Sequence, residues 1–304
     1  MSKQTFQDFQ NGIVNQIIEA LEANDTVFWR RPWKLDPCCG PPTSLSSGKP
    51  YSGSNFLLLS LVSWQLGYES KFFGTFNQIR RHDNAYVKRG EKGHKIVCYR
   101  PMTKKQLNSK GIEEEKTWLM QRTFTVFNAE QCVGLDQYKV GQHDAEVDLD
   151  QQFSNAINFI ESINNVTIDH GGNRAYCRGN HVQMPPLSRF ENQSEYVSTF
   201  FHELMHASEV GAQWDREKLG YSVGELRAEL GSVLLGQFFN LPMENELPQH
   251  VAYLKSWLPK AMKDNPKLIW EIAAQAQKGV DWLIENSCLR TKQLEELQEA
   301  DIPF

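Results

Sequence analysis

The chain has 304 residues, of which 40% are hydrophobic, so it can bury sizeable apolar cores, and its length favours two domains. No apolar run reaches the length of about 18 residues that a membrane-spanning helix needs, and the amphipathic N-terminus lacks the apolar stretch of a signal peptide. We therefore expect a cytoplasmic protein with no membrane partner. The net charge of −5 divides into +6 over residues 1–140 and −11 over residues 141–304, which suggests different partners for the two halves.

Periodic patterns predict an α+β protein with a mixed α/β front domain over residues 1–143 and a mainly helical rear domain over 150–304. Helices are predicted at residues 1–23, Asn55–Leu66, Phe76–His82 and Asp150–Ile163, around His202, around Glu225, and twice more before the C-terminus. Strands are predicted at Lys95–Arg100, Trp118–Asn128, Val166–Ile168, Ala175–Cys177 and His181–Met184, the last three forming a small antiparallel sheet. The charged segment Lys104–Glu115 is expected to be a solvated hairpin loop, and residues 141–149 a linker.

The six cysteines are scattered along the chain without a CxxC pair. This spacing argues against a disulfide framework and against a cysteine-based zinc site. We expect free thiols in a reducing compartment.

Residues His202 to His206 spell HExxH. Histidines four positions apart lie on one face of a helix, so both imidazoles can reach one metal ion, and Glu203 can act as general base on a metal-bound water. Asn192 to Glu195 reads as a capping box that opens this helix. The alternative, two ordinary core histidines, is less favoured because suitable acids follow downstream.

A metal site with three protein ligands needs one more donor. Glu225 follows His206 by 19 residues on a second apolar helix, and Glu229 lies one turn later. The layout resembles gluzincin metallopeptidases, with Glu225 as ligand and Glu229 orienting a ligating imidazole. The alternative is that Glu225 only caps its own helix together with Ser222, which would make Glu229 the ligand.

The front half contains a basic stretch, Lys71 to Lys105, in which ten Lys and Arg residues face only two acids, with aromatic residues interleaved. Cations that follow a phosphate backbone and aromatic faces that stack on bases are typical of single-strand binding. The glycine-containing segment Val87–Gly93 is a candidate ligand-contacting loop. The alternatives are a solvated basic face, aromatic residues that belong to the core, and an ordinary tight turn.

These motifs together resemble the ArdC-type antirestriction proteins of conjugative plasmids, and the front half also resembles the N-terminal part of TraC-type plasmid primases. The matching segments, which cover most of the chain, are Pro32-Trp33, Tyr51–Asn55, Phe73–Gln78, Val87–Gly93, Met184-Pro185, Phe190, Tyr196, the HELMH motif and Glu225–Glu229. The resemblance implies a single-stranded DNA-binding front domain, a zincin-like metallopeptidase rear domain, and protection of incoming plasmid DNA during conjugation.

With that resemblance, single-stranded DNA is the first expected partner, and the protein is expected to be a monomer. Phosphates would be contacted by Lys88, Arg89, Lys92, Lys95 and Arg100. The stacking candidates are Trp33, Tyr51, Phe73, Phe76 and Tyr99, some of which must be core instead. Asn55 and Gln78 would either contact base or sugar, or hold loops in place.

The second hypothesis is an active zinc metallopeptidase that cleaves a host restriction or DNA-processing protein. Glu203 would be the catalytic base, and Tyr221 or His181 would stabilise the oxyanion. His202, His206 and Glu225 suit zinc, although manganese or another divalent transition metal also fits such donors. A third hypothesis gives the metal a purely structural role.

Overall fold

The computed structural model describes residues 6–23, 36–107, 113–142, 148–212, 220–241 and 248–289, and the side chains within these ranges except those of residues 6–10, 20, 23, 99–121 and 248–254. The helices are α1 (Phe6–Ala23), α2 (Gly53–Leu66), α3 (Phe76–Ile79), α4 (Leu149–Glu161), α5 (Gln193–Gly211), α6 (Tyr221–Phe238), α7 (Pro248–Asp264) and α8 (Leu268–Glu285). The strands are β1 (Thr43–Ser44), β2 (Phe72–Thr75), β3 (Tyr86–Val87), β4 (His94–Leu107), β5 (Glu113–Asn128), β6 (Cys132–Val133), β7 (Thr167–His170), β8 (Tyr176–Arg178) and β9 (His181–Met184).

The front half is built on a sheet with strand order β1-β2-β5-β4. Strands β4 and β5 form a long antiparallel hairpin whose register runs from His94 opposite Val126 to Leu107 opposite Glu113. The hairpin expected at Lys104–Glu115 is confirmed, but its loop is shorter than expected, because strand continues to Leu107 and begins again at Glu113. Residues 108–112 lie outside the described part of the chain. A charged run is compatible with a strand because backbone pairing does not depend on side-chain polarity.

Helix α2 connects the front sheet to the rear helices. Most of its residues are apolar, and it contacts both β4 of the front sheet and α8 of the rear half. The backbone N–H of Gly53 at its start donates to Gln277 Oε1 on α8 at 3.3 Å. One continuous apolar core therefore runs from α1 and α2 into α5, α6 and α8.

The N-terminal helix docks as its apolar stripe predicts. Ile13, Ile17 and Leu21 are buried, and α1 packs along α7. Lys263 on α7 pairs with Glu22 on α1 at 3.1 Å at the edge of this contact.

The rear half is α+β, as predicted, but its small sheet is mixed rather than antiparallel. The strand order is β7-β9-β8, with β8 antiparallel to β9 and β7 parallel to it. Strands β8 and β9 form a hairpin, and the other edge of β9 pairs with β7. The two outer strands, β7 and β8, therefore run in opposite directions.

Helices α5, α6 and α8 pack closely at three glycines. A Cβ on Gly231 of α6 would overlap Met205 on α5, and a Cβ on Gly279 of α8 would overlap Met205, Ser208 and Arg227. Gly211, at the end of α5, lies against the indole ring of Trp282 on α8. Small residues at these points let the helix backbones approach one another closely.

All six cysteines lie in the described part of the chain, and none of them forms a disulfide, as expected. Among the described residues, no helix is both long and apolar enough to cross a bilayer.

The contact between Gly211 and Trp282 can be tested by adding a single methyl group. We expect Gly211→Ala to destabilise the protein by about 1–3 kcal/mol, since the rigid indole must move to admit the new Cβ. The matched control is Gly12→Ala on α1, where a Cβ meets nothing within 4 Å. There we expect a gain of about 0.5–1 kcal/mol from helix propensity. Urea denaturation of both variants checks this, and an unchanged midpoint for Gly211→Ala would contradict the packing of α5 on α8.

Candidate metal centre and candidate nucleic-acid surface

Helix α5 positions the two histidines of the HExxH motif. The side chain of Asn192 caps the helix by accepting from the Glu195 N–H at 2.8 Å, as the capping box predicts. The Glu195 carboxylate reaches the N–H of Glu191 at 2.7 Å instead of the N–H of Asn192. His202 and His206 therefore lie well inside a helix whose start is fixed and whose opposite face is buried.

The structure brings His202, His206 and Glu225 together between α5 and α6. Their ligand atoms all lie within 4.8 Å of one another. The two Nε2 atoms are 3.2 Å apart, and the two oxygens of Glu225 lie 3.3 Å from His202 Nε2 and 3.5 Å from His206 Nε2. Both histidines are about nine-tenths buried.

These spacings fit one metal ion. A tetrahedral centre with zinc–nitrogen bonds of about 2.0–2.1 Å has ligand–ligand edges of about 3.3–3.4 Å. Two imidazoles and one carboxylate are also the donor set that catalytic zinc sites use. The residues present therefore suit a divalent transition metal in number, type and spacing.

Glu225 faces the histidines and does not form the capping box suggested by Ser222. Helix α6 begins at Tyr221, its N-cap is Gly220, and no side-chain cap is formed, so Ser222 already lies within the helix. Burial acts to raise the pKa of Glu225, but hydrogen bonds from His202 and His206 and their charge outweigh burial and lower it well below its usual value. The carboxylate is therefore held as an anion between the two imidazoles.

Glu229 is buried one turn further along α6 and is not a member of the three-residue group found among the described residues. The acid beside a histidine is instead Glu209, whose Oε1 lies 2.9 Å from His206 Nδ1. Sequence reasoning missed Glu209. The signal that points to it is its position three residues after His206 on the same helix, where side chains are neighbours.

Arg227 of α6 is completely buried and reaches across to α5. Its Nη1 donates to the carbonyl of Met205 at 2.8 Å, and its Nη2 donates to Ser208 Oγ at 3.0 Å. Burial lowers the pKa of Arg227 to about 10, and the negative charge of Glu209 opposes that shift. A buried cation thus lies next to the segment that carries His206 and Glu209.

The other predicted groups of the rear domain lie as follows. Glu203 is half-buried and directly follows His202 on α5. Tyr221 is exposed at the start of α6. His181 Nε2 lies 2.7 Å from Asp169 Oδ2, which ties this histidine to the small sheet.

Several front-domain residues predicted to contact DNA are buried or hydrogen-bonded within the protein, as the alternative interpretation allows. Phe73 is fully buried in the core. The hydroxyl of Tyr51 donates to the Phe73 carbonyl at 3.5 Å, and burial raises the pKa of Tyr51 to about 12. Asn55 Nδ2 donates to Val97 O at 2.6 Å while its Oδ1 accepts from Val97 N–H at 2.9 Å, so its amide continues the edge of the sheet beyond β4. Gln78 completes a capping box with Thr75 at the start of α3.

The exposed members of the predicted set lie on the loop that joins β3 to β4, at the start of β4 and on α3. Lys88, Arg89, Lys92 and Lys95 are exposed, with Lys88 Nζ donating to the Glu130 carbonyl at 2.8 Å. The ring of Phe76 is 48% exposed, and the guanidinium of Arg80 lies 5.8 Å from its centroid. These side chains are exposed on the surface of the front half.

The loop that joins β3 to β4 is held in place by hydrogen bonds from a buried side chain. Buried Gln131 donates through Nε2 to Glu91 Oε2 at 2.9 Å and to the Lys92 carbonyl at 3.0 Å. Gly90 has φ +92°, and a Cβ on Gly93 would overlap Thr125 and Phe127. The two glycines allow the turn and the close approach to β5 that present Arg89 and Lys92 outward.

Trp33 and the side chains of Tyr99 and Arg100 lie outside the described residues. Sequence reasoning did not name Arg122 and Phe124, which are exposed and, two residues apart, share one face of β5.

Two family models match the chain. The model for the N-terminal domain of anti-restriction factor ArdC matches residues 7–127, and a zincin-like metallopeptidase model matches residues 154–275. The uncharacterized protein y4eC of Sinorhizobium fredii (strain NBRC 101917 / NGR234) is 31% identical over 293 residues, which are 92% of each chain. Two Escherichia coli proteins named DNA primase TraC are 28% and 29% identical over 91% and 95% of this chain, which spans only 20% and 28% of their length.

Crystal structures of the antirestriction ArdC protein from plasmid R388 share the fold. The metal-free structure is 29% identical with a TM-score of 0.69 and covers 92% of this chain and 97% of that one. The Mn(II)-bound structure is 28% identical with a TM-score of 0.66 and covers 92% and 98%. Both halves of the chain, in this order, thus match the same protein. The chain therefore belongs to the ArdC family of antirestriction proteins.

Proposed function

We propose that this protein binds single-stranded DNA and protects incoming plasmid DNA from restriction during conjugation. The observation that carries the DNA-binding part is the loop between β3 and β4, which presents Arg89 and Lys92 from a rigid base in the half that matches the ArdC N-terminal domain. The proposed role in conjugation is supported by the likeness to the antirestriction ArdC protein of plasmid R388.

The charges and rings around this loop suit a single strand better than a duplex. Exposed cations would neutralise phosphates and release counterions, which contributes sequence-independent affinity. The exposed rings of Phe76 and Phe124 offer faces on which splayed bases can stack, at about 1–3 kcal/mol per base. Bases in a duplex are already stacked and do not present those faces.

We also propose that His202, His206 and Glu225 hold one divalent metal ion. The donor set favours zinc, and the Mn(II)-bound ArdC structure makes manganese a second choice. Such an ion would act as a Lewis acid in a peptidase or would cross-link α5 to α6. The chain supplies two imidazoles and one carboxylate that the fold already keeps ionised.

Removing charge from the loop tests the DNA proposal. We expect Arg89→Gln and Lys92→Gln each to weaken binding of a fluorescent single-stranded oligonucleotide. The plot of log K against log salt should become shallower by about 0.7 for each phosphate that the variant no longer neutralises. The wild-type protein should prefer the single strand to its duplex at every salt concentration.

The matched control is Lys260→Gln on α7, an exposed lysine of the rear half that changes the net charge equally. It should leave both affinity and slope unchanged. If Lys260→Gln and Lys92→Gln have the same effect, the loop is not the contact site and only overall charge matters.

A second candidate function is proteolysis of a host restriction or DNA-processing protein. It is favoured by Glu203, a half-buried acid beside a group of three donors, because three protein ligands leave one coordination position for water. In that role Glu203 would take a proton from the water and give one to the leaving amine.

A conservative substitution distinguishes this peptidase from a structural metal site. Glu203→Gln should retain the bound metal, the melting temperature and DNA binding, but lose at least about 100-fold in cleavage of any protein that the wild type cleaves. Cleavage by purified protein is followed with electrophoresis and mass spectrometry. Equal cleavage by Glu203→Gln would rule out Glu203 as the base.

A further inference from the structure

His206 has a different neighbour on each side of its ring. Its Nε2 faces His202 and Glu225, whereas its Nδ1 lies 2.9 Å from the carboxylate of Glu209. The side chains of His206 and Glu209 are only 7% and 12% exposed, so water competes little for this contact. The pair is built into α5 by a spacing of three residues.

The contact with Glu209 favours one tautomer of His206 when a metal ion is bound. An ionised carboxylate only accepts hydrogen bonds, and a neutral imidazole carries one N–H. With an ion at Nε2, that N–H would be on Nδ1, where the Glu209 carboxylate lies 2.9 Å away and can accept it. This is the tautomer that a metal ligand needs. A carboxylate that accepts from Nδ1 also makes Nε2 more basic, and therefore a stronger ligand for the metal.

Arg227 makes a buried carboxylate tolerable at this place. A lone buried charge is costly unless an opposite charge and hydrogen bonds compensate it. Arg227 supplies the opposite charge. It also donates hydrogen bonds to Met205 O and Ser208 Oγ, and these two residues lie before and after His206 on α5. Because Arg227 and Glu225 belong to the same helix, this contact also fixes α5 relative to the third donor.

We propose that Glu209 is a positioning residue of the metal centre, which fixes the ring and tautomer of His206 so that Nε2 faces the ion. This inference rests on the proposed role of His202, His206 and Glu225 as ligands. Glu209 itself lies on the far side of the ring and does not contact the ion.

Cobalt titration of the full-length protein tests this role. We expect Glu209→Ala to weaken Co(II) binding about 10–100-fold, followed by the visible absorption of the bound ion. Glu209→Gln, whose amide oxygen can still accept from Nδ1, should stay within a few-fold of the wild type. The control Glu285→Ala removes an exposed carboxylate at the end of α8 and should bind like the wild type.

The rise in melting temperature on adding Co(II) separates positioning from folding. Glu209→Ala and Glu209→Gln both remove the negative charge near buried Arg227, so both should melt at a lower temperature without metal. A positioning role predicts a reduced rise with Co(II) for Glu209→Ala and a rise close to that of the wild type for Glu209→Gln. If Glu209→Ala binds Co(II) as tightly as the wild type, or only lowers the melting temperature of the metal-free protein, the proposal is wrong.

Nitrogen chemical shifts of the histidine rings in the metal-free protein give a second, metal-independent test. His206 should be protonated on Nδ1 in the wild type and in Glu209→Gln, and should lose that preference in Glu209→Ala. A wild-type His206 that carries no proton on Nδ1 would overturn the proposal. If the wild type takes up no Co(II), the proposed metal centre fails, and these shifts still decide what Glu209 does.

Discussion

The close packing of α5 against α6 is the constraint on which the candidate metal centre depends. Two donors come from α5 and one from α6, so the distances of 3.3 and 3.5 Å between Glu225 and the two imidazoles are set by how closely the helices approach. Gly231 permits that approach because a Cβ there would overlap Met205, and Arg227 fixes it by bonding to the Met205 carbonyl. Backbone contact and ligand geometry therefore depend on the same few residues.

The two halves of the chain share one core, which links the candidate DNA surface to the candidate metal centre. Helix α2 contacts β4 of the front sheet on one side and α8 on the other, and α8 packs on both α5 and α6. The two matched family models end and begin at residues 127 and 154, so they divide the chain into two segments. Helix α2 of the first segment nevertheless packs against α8, which begins within the second. A change in the packing of α8 would alter its contacts with α2 of the front half and with α5 and α6 of the rear half. Helix α8 is therefore a physical route for coupling between the two halves.

The sequence was informative where a single helix decides the geometry and less so where tertiary contacts decide it. The spacing of His202 and His206 predicts a shared face from the helix period alone. The choice between Glu225 and Glu229 depends on how α6 is rotated against α5, and the role expected of Glu229 is matched in the structure by Glu209. Likewise, the aromatic ring of Phe73 suggests a stacking surface until its complete burial in the core is seen. The polar amide of Asn55 suggests a ligand contact until its pairing with the edge of β4 is seen.

The central claim is that one divalent ion binds between α5 and α6 with two imidazoles and one carboxylate as its protein ligands. Anomalous diffraction from crystals of the protein grown with Mn(II), measured above and below the manganese absorption edge, tests this claim most directly. We expect one strong peak bounded by His202, His206 and Glu225, with Glu209 behind the ring of His206. A peak coordinated by Glu229 instead of Glu225, or no peak between these helices at saturating Mn(II), would contradict the account.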